Sequence, residues 1–153
     1  MKIFLLANNL IGLEIAKHLR KEHEDITGLA VHPPCMQKYT NEIISVSETD
    51  KTAIVEGPKI NTQETISLIK DLDCDIAVSA SFGYILKSDF LNLFPEGCIN
   101  IHPAYLPYNR GGYPNVWSIV EGTPAGATIH YMDEGVDTGD IISQEEIPVL
   151  PED

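Results

Sequence analysis

Short apolar runs alternate with stretches of helical periodicity along this chain. Residues 2–6 (Lys-Ile-Phe-Leu-Leu) predict a buried strand, and after Ala7-Asn8-Asn9 the recurrence of Ile11, Ile15 and Leu19 at four-residue spacing predicts a helix. Residues 25–31 (Asp-Ile-Thr-Gly-Leu-Ala-Val) read as a second strand. It is ended by Pro33-Pro34, which have no N–H to give a ladder. Asn61 followed by Glu64 has the form of a capping box and opens a helix with Ile66 and Ile69 on its inner face. Residues 75–80 and 97–101 are a third and a fourth strand. Strands separated by helices of this length imply parallel pairing through crossovers, hence an α/β, Rossmann-like doubly wound, mostly parallel sheet. Ligands of such sheets bind beyond the carboxyl ends of the strands. The last third differs: residues 126–132 and 140–147 are strands joined by a polar turn, an antiparallel addition near the C-terminus.

Length and charge narrow the possibilities. With 153 residues and 43% hydrophobic side chains, the expectation is one domain over residues 1–153; a helix is the natural element to follow Pro151-Glu152-Asp153, so that domain is expected to be C-terminally incomplete. Ten Lys and Arg against 23 Asp and Glu give a formal charge of -13. After Arg110 the chain carries acids and no Lys or Arg. A surface of that sign repels phosphate backbones, which argues against nucleic acid as the main partner. The apolar runs are too short and interrupted for a membrane span or a signal peptide. Cys35, Cys74 and Cys98 form no disulfide framework, so a reducing cytoplasm is the expected location. A homodimer remains open.

The common cofactor and nucleophile signatures are missing. No GxGxxG or GxxxxGK[ST] follows the first strand, and no GxSxG elbow is present. His32-Pro33-Pro34-Cys35 has ligand types but no second pair, so no metal is expected. His18 and His23 read as solvated and His130 as a structural histidine. In Asn100-Ile101-His102 the alternation of a strand puts Asn100 and His102 side by side at a carboxyl end. An amide donor beside an imidazole suits acyl-type transfer to an amine, one group meeting the developing oxyanion and the other handling a proton. The pair alone equally fits a capped strand end followed by a turn before Pro103.

The wider pattern is more specific. Ser81-Phe82-Gly83-Tyr84-Ile85-Leu86, Asn100-Ile101-His102, Leu106-Pro107-Tyr108-Asn109-Arg110-Gly111 and Met132-Asp133-Glu134-Gly135-Val136-Asp137-Thr138-Gly139-Asp140 occur in this order. The series resembles the folate-dependent formyltransferase family. The resemblance implies a Rossmann-like formyltransferase fold, 10-formyltetrahydrofolate as formyl donor, and Asn100, His102 and Asp137 as catalytic residues. It places the pterin against Phe82, Gly83, Tyr84, Ile85 and Leu86, and against Asp133, Gly135 and Val136. Ile85 and Leu86 taken alone also fit ordinary core packing.

The family divides by acceptor. Ala7-Asn8-Asn9 departs from the Gly-x-Gly-Ser-Asn turn of glycinamide ribonucleotide formyltransferases. The turn at 132–140 is similar to that of methionyl-tRNA formyltransferases, but the basic loop those proteins carry after the second strand corresponds here to residues 32–42, with one Lys. Asn8-Asn9-Leu10-Ile11-Gly12, the 107–111 loop and Pro114-Asn115-Val116-Trp117 look similar to formyltransferases of nucleotide-linked amino sugars. That reading takes a small-molecule amine as acceptor and Asn9, Arg110, Asn115 and Trp117 as its contacts; Trp117 fits the core equally well. Methionyl-tRNA is the alternative acceptor. A formyltetrahydrofolate hydrolase and a non-catalytic folate or sugar-nucleotide binding module are the other readings.

Overall fold

The computed structural model describes residues 1–149. The chain forms two compact units, Met1–Cys98 and Ile99–Asp153. In the first unit β1 (Lys2–Ala7) leads into α1 (Asn9–Lys21), β2 (Asp25–Val31), α2 (Thr40–Ser47), β3 (Ile54–Glu56), α3 (Gln63–Leu72), β4 (Ile76–Ala80) and the short α4 (Ser88–Leu91). The strands stand in the order β3-β2-β1-β4 and every pairing is parallel, the arrangement expected when each strand is followed by a crossover. β1 lies between β2 and β4, and Phe4, Leu5 and Leu6 on it are fully buried. Phe4 meets Phe90 edge-on at 5.9 Å and Phe94 at 6.1 Å, which closes the core under α4.

Two local expectations change. The buried residues of α1 are Gly12, Leu13 and Ala16, while Ile11, Ile15 and Leu19 flank them half-buried. A side chain added at Gly12 would meet the backbone of Ala7 at 3.2 Å, so the helix lies close against β1 there and small residues win that face. α3 is capped by Thr62, whose hydroxyl accepts the Thr65 N–H at 3.3 Å. Asn61 is no cap: its side chain donates to the Ile85 carbonyl at 2.8 Å and accepts the Lys87 N–H at 2.9 Å. Competing tertiary hydrogen bonds moved the cap by one residue. α2 and β3 carry too short a pattern to announce themselves.

The second unit holds β5 (Cys98–His102, all but its first residue), α5 (Pro114–Glu121), β6 (Gly126–Tyr131) and β7 (Ile141–Glu146). Both pairings are antiparallel: Asn100 stands opposite His130 and His102 opposite Thr128, and β6 continues against β7 with an irregularity between Ile129 and His130. The fold class read from the sequence therefore holds, a parallel α/β part followed by antiparallel strands. Only Pro114 and Ser118 of α5 are buried. Trp117 is 51% exposed, which removes the core alternative for that residue.

Candidate active site

The two-residue period of β5 places Asn100 and His102 on one face, and the antiparallel register sets His130 and Thr128 of β6 beside them. The turn after β6 returns Asp137 to this face. Its Oδ1 accepts from Asn100 Nδ2 at 3.3 Å and lies 3.4 Å from His130 Nε2. Its Oδ2 lies 3.5 Å from His102 Nδ1 and accepts the Gly111 N–H at 2.9 Å. The predicted trio of Asn100, His102 and Asp137 is thus assembled within one unit, around a carboxylate that is only 12% exposed.

The ring nitrogens can be assigned from their partners. His102 Nε2 is 2.9 Å from the Asn109 carbonyl, which can only accept, so Nε2 carries a hydrogen. A ring protonated on Nδ1 as well satisfies both this carbonyl and Asp137. His130 Nδ1 likewise donates to the Tyr131 carbonyl at 2.8 Å, which leaves Nε2 of the neutral ring to accept from Asn100 Nδ2 at 3.3 Å. His130 is 2% exposed and is the site residue that the sequence reading missed. Its position opposite Asn100 in an antiparallel pair was the available signal.

Loop 103–113 is fixed from below. Thr128, fully buried, accepts the Leu106 N–H at 3.1 Å and donates to the Ala104 carbonyl at 2.7 Å. Asn109 is held at φ 55° while its side chain receives the Thr123 hydroxyl at 2.8 Å and donates to Glu121 at 3.3 Å. Arg110 is exposed at the crest of this loop, and Asn115 and Trp117 are exposed on α5. In the turn, Asp133 Oδ1 accepts the Thr138 hydroxyl at 2.6 Å and the Gly135 N–H at 2.9 Å, and these bonds, the hydroxyl first, hold its carboxyl below the usual range. Gly139 has no room for a side chain against the Tyr131 carbonyl. Gly135 and Val136 are exposed.

The remaining predicted contacts belong to the first unit. Asn9 opens α1 at φ 52° and its side chain accepts the Ile11 N–H at 3.0 Å. In the segment after β4, Phe82 and Tyr84 are half-buried and Gly83 is exposed. Ile85 is 74% exposed whereas Leu86 is buried, so core packing applies to Leu86 alone. Asn61 holds the end of this segment. Gly57 lies so close to the Tyr84 ring that a side chain there would overlap it. The exposed apolar side chain of Ile85 beside the half-buried rings of Phe82 and Tyr84 suits contact with a flat heteroaromatic ring. Among the described residues no group of three or more His, Cys, Asp or Glu could hold a metal ion. No helix among them is long and apolar enough to cross a membrane.

Known proteins share this pattern of sequence and fold. The formyl transferase family model matches residues 3–153. The methionyl-tRNA formyltransferase of Borreliella afzelii is 34% identical over 154 residues, covering 97% of this chain and 49% of that protein, so the chain spans about half the length of such a relative. Among solved structures, phosphoribosylglycinamide formyltransferase from Bacillus halodurans matches with TM-score 0.81 at 25% identity, covering 100% of this chain and 82% of that one. The formyltransferase PseJ from Anoxybacillus kamchatkensis, solved with UDP-4,6-dideoxy-4-formamido-L-AltNAc and tetrahydrofolate, matches with TM-score 0.66 at 27% identity over 100% of this chain and 64% of that one. The chain belongs to the formyl transferase family.

Proposed function

We propose that this chain carries the catalytic part of an enzyme that transfers a formyl group from 10-formyltetrahydrofolate to a primary amine, with Asn100, His102 and Asp137 as catalytic residues. The observation that carries the reading is the near-buried Asp137 carboxylate held beside both His102 and Asn100. The contacts of Asn100 and His102 to Asp137, at 3.3 and 3.5 Å, lie beyond the usual span of good N–H···O bonds. The Asn100 amide, and Nδ1 of a His102 ring that carries a hydrogen on both nitrogens, are weakly engaged donors available to a stronger acceptor. A formyl oxygen gaining negative charge as the amine attacks is such an acceptor. Asn100 and His102 donate to that oxygen, and Asp137 takes the proton of the attacking nitrogen through water. When the carbonyl re-forms, the bond from carbon to the folate nitrogen breaks and that nitrogen takes up the proton. No covalent bond to the protein is needed.

In this reading Phe82, Gly83, Tyr84 and Ile85, together with Asp133, Gly135 and Val136, are contacts of the formyl donor. The favoured acceptor is a nucleotide-linked amino sugar. Arg110 supplies a cation for its phosphates, the exposed indole of Trp117 a stacking surface for its base, and Asn9 and Asn115 amide contacts. The charge of -13 supports a small acceptor over a polynucleotide. The methionyl-tRNA formyltransferase relatives favour a second reading, with methionyl-tRNA held by regions of a longer protein outside this chain.

The test is tetrahydrofolate release from 10-formyltetrahydrofolate by the full-length protein with nucleotide-linked amino sugars, methionyl-tRNA, or water alone. Asn100→Ala, His102→Ala and Asp137→Asn are expected to lower turnover on the order of a hundredfold or more. Release with an amino sugar and loss in all three variants supports the reading. Release with methionyl-tRNA selects the second acceptor, release with water alone a hydrolase. Undiminished turnover in the variants refutes the catalytic assignment.

A further inference from the structure

His32 lies at the end of β2 with 5% of its surface exposed, far in sequence from the segment it touches. Its Nε2 accepts the Gly83 N–H at 3.2 Å. Phe82 stands against the ring at 5.4 Å and 81°, and Tyr84 at 5.1 Å and 65°, both edge-on. The three residues that open the proposed donor-binding segment are therefore all in contact with one imidazole. On the other side Nδ1 is 3.3 Å from the Asn8 amide nitrogen, and the oxygen of that amide accepts the Lys38 N–H at 3.0 Å.

This arrangement constrains the protonation of the ring. A backbone N–H has no choice but to donate, so Nε2 must present its lone pair to Gly83. A neutral imidazole has one such lone pair; the imidazolium has none. The doubly protonated ring would set N–H against N–H at Gly83 and leave a backbone donor without a partner. The Asn8 amide nitrogen at Nδ1 is a competing donor, but it lies at a longer 3.3 Å, and a side-chain amide has other orientations, at the expense of its Lys38 bond, that the Gly83 backbone N–H does not.

We propose that His32 is a positioning residue of the donor-binding segment, its neutral ring fixing Gly83 by a hydrogen bond and Phe82 and Tyr84 by edge contacts. The inference rests on the reading of residues 82–85 as donor contacts. It makes donor affinity sensitive to the protonation of a residue that need not touch the donor. Burial lowers the pKa of His32 below the ordinary 6.5, so the neutral ring predominates at pH 7 and is lost only on acidification. Side chains against the ring are Asn8 from just after β1 and Phe82 and Tyr84 from beyond β4, and none of these three is a carboxylate or a cation.

The experiment uses the full-length protein and two readouts. The Gly83 amide resonance is followed by 1H–15N NMR from pH 7.5 to 5, and the affinity for tetrahydrofolate is measured anaerobically by calorimetry at both ends of that range. In the parent, the Gly83 shift is expected to follow the His32 ring with a shared midpoint below 6.5, and affinity to fall with it. His32→Leu is expected to weaken tetrahydrofolate about five- to tenfold at pH 7.5, the worth of one net hydrogen bond. His32→Gln, whose Oε1 accepts at every pH, should restore most of that affinity and flatten its pH dependence. A Gly83 amide indifferent to the His32 titration, or parental affinity in His32→Leu, overturns the inference while leaving the donor reading intact. A parent that does not bind tetrahydrofolate overturns the donor reading on which the inference rests.

Discussion

Thr128→Val isolates what holds the loop that follows His102. The two side chains have nearly the same shape, and Thr128 is fully buried, so the substitution makes no cavity and exchanges a hydroxyl for a methyl. The hydroxyl accepts from Leu106 N–H at 3.1 Å and from Gln144 Nε2 at 3.1 Å, and donates to the Ala104 carbonyl at 2.7 Å. Gln144 keeps its bond to the Leu106 carbonyl at 2.6 Å, so it is not stranded. The Leu106 N–H is left buried without this partner, at a cost of roughly 1–3 kcal/mol, and the lost bond to the Ala104 carbonyl adds about 1 kcal/mol. The expected loss is about 2–4 kcal/mol, a large share of a typical stability of roughly 5–15 kcal/mol.

Urea denaturation reads this directly. With a slope of about 2 kcal/mol/M, the midpoint should fall by about 1–2 M at unchanged slope. Thr128→Ser is the control, since it keeps the hydroxyl and removes one buried methyl, worth about 1 kcal/mol. The order is the sharp part: valine must cost more than serine. A valine variant within about 0.5 kcal/mol of the parent, or a serine variant less stable than the valine one, would refute the claim that the hydroxyl rather than the packing secures residues 104–106.

Other consequences can be read in parallel. Gly139→Ala drives a side chain into the Tyr131 carbonyl, so the turn that carries Asp137 must shift; a thermal midpoint lower by about 5 °C or more and a loss of formyl transfer are expected, and parental values for both would contradict the close approach. Burial pushes the thiols of Cys74 and Cys98 up to about 11 and about 12, while Cys35 is exposed, so a disulfide titrant at pH 7.5 should modify Cys35 rapidly and the other two only after denaturation. Because the folded pKa of His32 is depressed, the unfolded chain takes up that proton first as pH falls below 6.5, and stability declines until pH passes the folded value. The difference in urea midpoint between the parent and His32→Gln should therefore change across this interval and be flat above it.

What the sequence made legible depended on how local the cause was. Strand alternation alone set Asn100 beside His102, and turn chemistry marked residues 133–139 as a return. Asp137 came from resemblance, because no local rule says which acid of a polar turn points inward. His130 was read as structural, and the missing information was register: once Asn100 faces His130 across the β5–β6 pair, a buried histidine there joins the site. The helix cap failed for a related reason. Asn61 is as good a capping residue as Thr62, yet its amide is drawn to Ile85 and Lys87, partners more than twenty residues away. At Trp117 residue type alone leaves core and pocket equally open, and only the exposure of its ring on α5 excludes the core.

The residues around His102 also explain why the geometry of the site could not be read from local propensity. Asn109, Tyr113 and Asp137 are non-glycine residues held in the left-handed region, at φ 55°, 54° and 52°, where each costs about 1 kcal/mol or more. Local preference would unwind all three. What opposes it at Asn109 is Thr123 and Glu121, a turn and a helix end away, together with the hydrogen that His102 donates to its carbonyl. At Asp137 it is the Gly111 N–H and the Asn100 amide of β5. The same contacts that offset the backbone strain also orient the imidazole and the carboxylate. Loop 103–113 and the turn 132–140 are therefore coupled: Gly111 reaches Asp137 directly, and Asn109 reaches it through His102. A ligand held at Arg110, one residue from both Asn109 and Gly111, would act on His102 and Asp137 through bonds already in place.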